Sequence, residues 1–337
     1  MNALLVYALG AARRIGWRLS ALMAIFFALQ ERYHEAVIWY AALPELLAFC
    51  FGLLTLLFWV RWLQYPKHAI LAWVGALACF CLALLSKESA VCVILLMILF
   101  VVSESGRRLR PLLALLPFVL LAAIDVALVF SGQDQNHHFR DGTFSLQAGA
   151  LKALIGSAIR ALWIWGVVGL IVLTFFAPRK RYGVMALALG WVLITLIPYS
   201  FLTYMPRVPS RHHYLAAVGC SLILALAATT LQERIGKRWV IGLCALIIGV
   251  HHVSYLWTAK YHQFRERAEP IESLLRYMRQ EQKRPVAIRC FPYSFGEAQR
   301  AVRIRLGEPE SNLVLDTSGK AGLPSFCPPN EAQISRP

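Results

Sequence analysis

The chain has 337 residues, 58% of them hydrophobic and only 15% charged, with a mean hydropathy of +0.58. A soluble domain carries roughly a quarter charged residues, so the composition points to an integral membrane protein and excludes a secreted disulfide scaffold, a disordered tail protein and a cytosolic enzyme. The formal charge is +16, and its placement says more than its size.

In chain order, Ala3–Ala12 is an apolar piece half a span long with no basic region before it. It does not read as a signal peptide; it reads as the last turns of a helix that begins upstream. Apolar runs follow at about 19–30, 44–60, 69–85, 89–103, 111–130, 151–177, 184–203, 214–231 and 238–258. A bilayer core needs about 20 helical residues, so 89–103 is short. The runs lack the period-two alternation of a closed barrel, which leaves helices as the way to satisfy the backbone in lipid. The expected fold is an all-α polytopic bundle of about 10 spans over residues 1–258, followed by a small α/β soluble module over 259–337.

Charge placement orients the bundle. One set of loops holds fourteen basic residues: Arg13, Arg14 and Arg18; Arg61 and Lys67; Arg107, Arg108 and Arg110; Arg179 to Arg181; Arg234, Lys237 and Arg238. The alternate loops hold five: Arg32, Lys87, Arg140, Arg207 and Arg211. The first set is therefore read as cytoplasmic, and the tail as extracytoplasmic.

Within the tail, 263–282 reads as a charged helix with Ile271, Leu274, Leu275 and Met278 on one face. Val286–Cys290 and Asn312–Asp316 read as strands, Gly296–Leu306 as a helix, and the chain from Gly319 as irregular. Six of the eight cysteines lie in apolar helices as small hydrophobes. The other two, Cys290 and Cys327, can pair in an oxidising compartment. Three His pairs occur, at 137–138, 212–213 and 251–252. Adjacent His side chains diverge by about 100° on a helix, and no H-x-x-x-H, C-x-x-C or D-x-D spacing is present, so no metal and no cofactor is expected.

Four features share the outer face: Tyr33 to Val37, Leu84 to Ala90, the loop 131–150 with Asp134, Arg140 and Asp141, and Arg207 to Tyr214. Arg207, Arg211 and Lys87, with the His212–His213 pair, form a cationic set suited to a phosphate, the arginines by forked hydrogen bonds and the lysine as a point charge. Snorkelling onto anionic headgroups is the bland alternative. Glu45 and Asp125 lie inside helices, where interhelical hydrogen bonding is the expected role.

These residues resemble a family. Asn2-Ala3-Leu4-Leu5, Glu35-Ala36-Val37-Ile38-Trp39, Glu45-Leu46-Leu47-Ala48, the L-L-S-K-E-S-A of Leu84 to Ala90 and the R-H-H-Y-L-A-A-V-G of Arg211 to Gly219 look like GT-C-type membrane glycosyltransferases. The likeness is to the bacterial protein-O-mannosyltransferase-like enzymes and their tetratricopeptide-bearing relatives. It implies a polyprenyl-phosphate-linked sugar as donor, a protein, lipid or glycan acceptor, and inverting transfer on the outer face, with no nucleic acid involved. It also implies that Glu35, Lys87, Glu88, Arg211 and Tyr214 line the donor site. The family's H-P-x-H positions are replaced by Gln30-Glu31-Arg32-Tyr33, and its base-bearing first outer loop falls before Met1. The acids best placed to substitute are Glu35 and Glu88. Two other classes compete: a catalytically inactive partner subunit that keeps lipid binding, and a transporter or flippase of a lipid-linked sugar. The second predicts inverted repeats, and none is seen.

Overall fold

The structure, a computed structural model, describes residues 1–13, 15–65, 69–103, 109–135, 144–145, 149–202, 210–281, 284–316 and 323–328. The chain divides into two compact units, Met1–Val253 and Ser254–Pro337, five residues ahead of the change in composition.

The first unit is helical. Its helices are α1 (Asn2–Ala12), α2 (Trp17–Leu29), α3 (His34–Ile38), α4 (Leu43–Gln64), α5 (Ala69–Ser86), α6 (Cys92–Ser103), α7 (Leu109–Leu113), α8 (Leu116–Ser131), α9 (Ala150–Phe176), α10 (Tyr182–Leu196), α11 (Ala217–Ile235) and α12 (Trp239–Tyr255). Most are apolar on all sides, as helices buried among others or in lipid must be. Among the described residues of the chain, six stretches are long and apolar enough to cross a membrane: Leu43–Gln64, Pro111–Ser131, Ala150–Phe176, Arg179–Tyr199, Ala217–Ile235 and Trp239–Gln280. Asn2–Ala12, Trp17–Leu29, Ile70–Ser86 and Glu88–Ser103 are apolar but shorter. At 1.5 Å per residue they fall below a ~30 Å core, so among the described residues six helices are of span length where the sequence suggested about ten.

Contacts between helix ends define the two ends of this unit. At one end the Asn2 amide donates to the Leu46 carbonyl at 3.3 Å and the Tyr214 hydroxyl at 3.1 Å, which ties the starts of α1 and α4 to the approach to α11. At the other end Gln64 donates to the Ala12 carbonyl at 2.9 Å and Arg13 to the Ser103 hydroxyl at 2.7 Å. Between them, α11 is the most enclosed helix, packed by α2, α9 and α10. Gly219 sets its approach to α10. A Cβ there would lie 2.5 Å from the Ala188 carbonyl oxygen and 2.7 Å from Val192, so only glycine permits that crossing. α9 is broken at Trp163, whose φ of 50° is rare for a residue with a side chain.

The second unit contains α13 (Tyr261–Gln280), β1 (Val286–Ile288), α14 (Phe295–Leu306), β2 (Leu313–Leu315) and β3 (Ser325–Phe326). The strands form a parallel sheet in the order β2-β1-β3. Parallel neighbours need a crossover, and α14 supplies it between β1 and β2. Ser294 and Glu297 form a reciprocal capping box that starts α14. Leu274, Leu275 and Met278 of α13 pack with Val286, Ile288, Val302 and Phe326 to make the core. β3 corrects the expectation of an irregular end after Gly319: a two-residue strand has no alternation to read, and β1 recruits it. Cys290, two residues beyond β1, and Cys327, one residue beyond β3, are joined by a disulfide.

Candidate functional site

The segments that carry the resemblance meet at one end of the helical unit. α3 brings Glu35, the first turn of α4 brings Glu45, and Lys87 lies between α5 and a 3-10 turn at Glu88–Val91. Tyr199 closes the 3-10 turn Ile197–Tyr199, and a further 3-10 turn, Ser210–His213, precedes α11.

Glu45 is the centre of this arrangement. It is 6% exposed. Its Oε1 receives the Lys87 ammonium and, at 2.7 Å, the His212 Nδ1. Its Oε2 accepts from the Tyr199 hydroxyl at 2.9 Å, and that hydroxyl lies 2.8 Å from Ser89 Oγ. The Tyr199 and His212 rings stack with centroids 4.2 Å apart. Three donors on two oxygens occupy the carboxylate, so Glu45 is an anchor rather than a free base. Burial pushes the His212 pKa down, helped by the Lys87 and Arg211 charges and opposed by Glu45. The ring is therefore neutral near pH 7, with its proton on the Nδ1 that donates to Glu45.

Glu35 stands beside this anchor. Its Oε2 accepts the Arg211 backbone N–H at 3.4 Å. Burial works to raise its pKa, but the Ser210 hydrogen bond, the His34 charge and the Arg211 N–H and charge outweigh it and hold the carboxyl below the ordinary glutamate value. Glu35 is thus ionised at neutral pH, half-buried, and next to the cation most suited to an anionic ligand. The Arg211 guanidinium lies 4.8 Å over the ring of Trp39, itself 48% exposed.

The other sequence-derived candidates separate. Lys87 is present, but its ammonium is paired with Glu45. Glu88 is exposed, on the side facing Asp125. Tyr214 is buried among Phe27, Tyr33 and Phe49 with its hydroxyl engaged by Asn2, so it supports the site from beneath. Arg207, Arg140, Asp141 and the His137–His138 pair lie outside the described residues. Asp134 sits in the 3-10 turn Gln133–Gln135, and Phe144 forms an isolated antiparallel bridge with Leu202.

A second polar group, not singled out from the sequence, lies among α2, α9 and α12. Glu31, 1% exposed, pairs with Arg32 and lies 3.6 Å from His252 Nδ1. Arg32 stacks 4.1 Å over Trp163 at the break in α9. Trp165 donates to His251 Nδ1 at 3.1 Å. Glu31 and Arg32 are consecutive, which gave no sign that they turn inward together. Among the described residues no group of three His, Cys, Asp or Glu side chains is placed to hold a metal.

No family model matches the chain, and no match is found among curated proteins or solved structures. The structure therefore speaks for a class: a helical membrane protein with a small strand-containing C-terminal unit.

Proposed function

We propose that the chain is a GT-C-type membrane glycosyltransferase that moves a sugar from a polyprenyl-phosphate donor to an acceptor hydroxyl on the outer face of a bacterial inner membrane. One observation carries this reading: Glu35 to Trp39, Ser86 to Ala90 and Arg211 to Tyr214, which hold the resemblance, converge although they lie up to about 180 residues apart in the chain. In this proposal the four shorter apolar helices complete about ten spans by thinning the bilayer locally and by snorkelling of flanking residues, and the Cys290–Cys327 disulfide suits an oxidising side.

Roles follow from the geometry. Arg211 grips the donor phosphate by forked hydrogen bonds. Trp39 offers an apolar face at the rim. The Glu45 anchor holds Lys87 and His212 in place beneath it. The acceptor oxygen attacks the anomeric carbon, the bond from that carbon to the phosphate oxygen breaks, and polyprenyl phosphate leaves with the electron pair. Glu35, ionised and adjacent, takes the acceptor proton. The departing phosphate is already an anion and needs cations rather than an acid.

Arg211→Ala is expected to lower transfer from a radiolabelled polyprenyl-phosphate sugar at least 100-fold in membranes containing the full chain. Transfer at the wild-type rate removes Arg211 from the donor site. Wild-type membranes that transfer nothing from such donors count against the transferase reading.

A further inference from the structure

The opposite end of the helical unit holds a second concentration of charge, which the proposed reaction does not use. An open cavity of about 1030 Å³ lies there, between the starts of α2 and α10 and the ends of α6 and α11. Among the described residues, Arg13, Arg18, Lys180 and Arg181 line it against a single carboxylate, Glu233.

These cations are not equivalent. Arg13 donates to Ser103 at 2.7 Å and lies 4.6 Å over the Phe100 ring. Arg181 donates to Thr230 at 2.6 Å and to Glu233 at 2.5 Å. Arg18 rests 5.3 Å over the exposed Trp17 ring, and Lys180 has no ion-pair partner among the described residues. Among the described residues, four cations from loops more than 160 residues apart meet one acid. Solvated anchors would spread apart; cations gathered round one space repel unless an anion joins them.

The shape of the cavity narrows the ligand. Deeper in, the wall turns apolar at Leu22, Leu187 and Leu226. A small soluble anion would leave that wall unused. An amphiphile with a charged head and a hydrocarbon chain uses both parts. α2 also opens here with no carboxylate in its first turn, so its unpaired N–H groups add to the positive field.

We propose that this cavity binds a phosphate-bearing ligand, supplied by an anionic membrane lipid whose chain lies along the apolar wall. The site is independent of the transferase reading, and its test does not involve sugar transfer.

The experiment is native mass spectrometry of the full chain released from detergent, with phosphatidylglycerol or phosphatidylcholine added. The wild type is expected to retain one phosphatidylglycerol in preference to phosphatidylcholine. Arg18→Gln/Lys180→Gln should lower that retention about tenfold or more, as expected for the loss of charge-assisted hydrogen bonds. Arg234→Gln/Arg238→Gln removes the same charge from exposed positions nearby but outside the cavity, and should leave retention unchanged. Lys180→Gln alone, at an exposed position, serves if the first pair unfolds. Undiminished retention in the cavity variant, or equal loss in both pairs, overturns the site. Displacement of the lipid by millimolar glycerol 3-phosphate reassigns the ligand to a soluble phosphate and overturns the lipid source.

Discussion

Glu45, Lys87, His212 and Tyr199 come from four separate segments, yet their polar atoms meet at one carboxylate. Removing the carboxylate leaves an ammonium and an imidazole N–H in a nearly dry site. Glu45→Ala is therefore expected to cost about 3 kcal/mol or more, read as a fall in melting temperature in detergent. Glu45→Gln keeps the shape and an acceptor, so its loss should be smaller; equal losses would mean that charge is not what the anchor supplies. Glu35 differs because its partners, Ser210 and the Arg211 N–H, leave it half-buried beside an exposed ring. That contrast separates a structural carboxylate from one that can meet an acceptor. Part of this was legible in the sequence, since Lys87 and Glu88 are the only charges from Ala69 to Ser103. Which acid Lys87 would choose was not legible, because Glu45 lies 42 residues away on another helix.

At the scale of elements, the tightest requirement is the crossing of α10 and α11. Gly219 leaves no room for even one carbon against the Ala188 carbonyl. Gly219→Leu should force the helices apart and cost about 3 kcal/mol, the upper range for overpacking, with a matching loss of thermal stability. Because only three residues separate α11 from the Ser210–His213 turn, the same change should weaken the hold on Glu45. A variant as stable as wild type would show that the crossing is looser than the geometry implies. Long apolar runs announced these helices; their ends were harder to place. The break in α9 at Trp163 has no glycine or proline at that position, so nothing in the local sequence marks it. Contacts with Arg32 accompany the unusual backbone there.

For the whole molecule, the two ends of the helical unit carry different kinds of charge. One end holds a neutralised carboxylate network and an arginine over an exposed indole; the other holds a cation-lined cavity. On the proposed orientation, with the basic loops facing the cytoplasm, an alkaline phosphatase reporter fused after residue 337 should be active, and Cys290 and Cys327 should resist alkylation until reductant is added. An inactive fusion together with reductant-independent alkylation reverses the proposed orientation.

Composition by itself determined that this is a helical membrane protein, because no core of this size could hide so many apolar residues. The α/β character of the tail was also readable, since α13 and α14 have clear helical faces and β1 and β2 are apolar runs between polar turns. Only the tertiary structure decided which charges pair. Lys87 and Tyr214 looked like ligands for a phosphate, but the fold turns one onto Glu45 and encloses the other among aromatic rings. The physical reason is that ion pairing and burial act through distances between helices, and those distances are set by close approaches such as Gly219 rather than by neighbours along the chain.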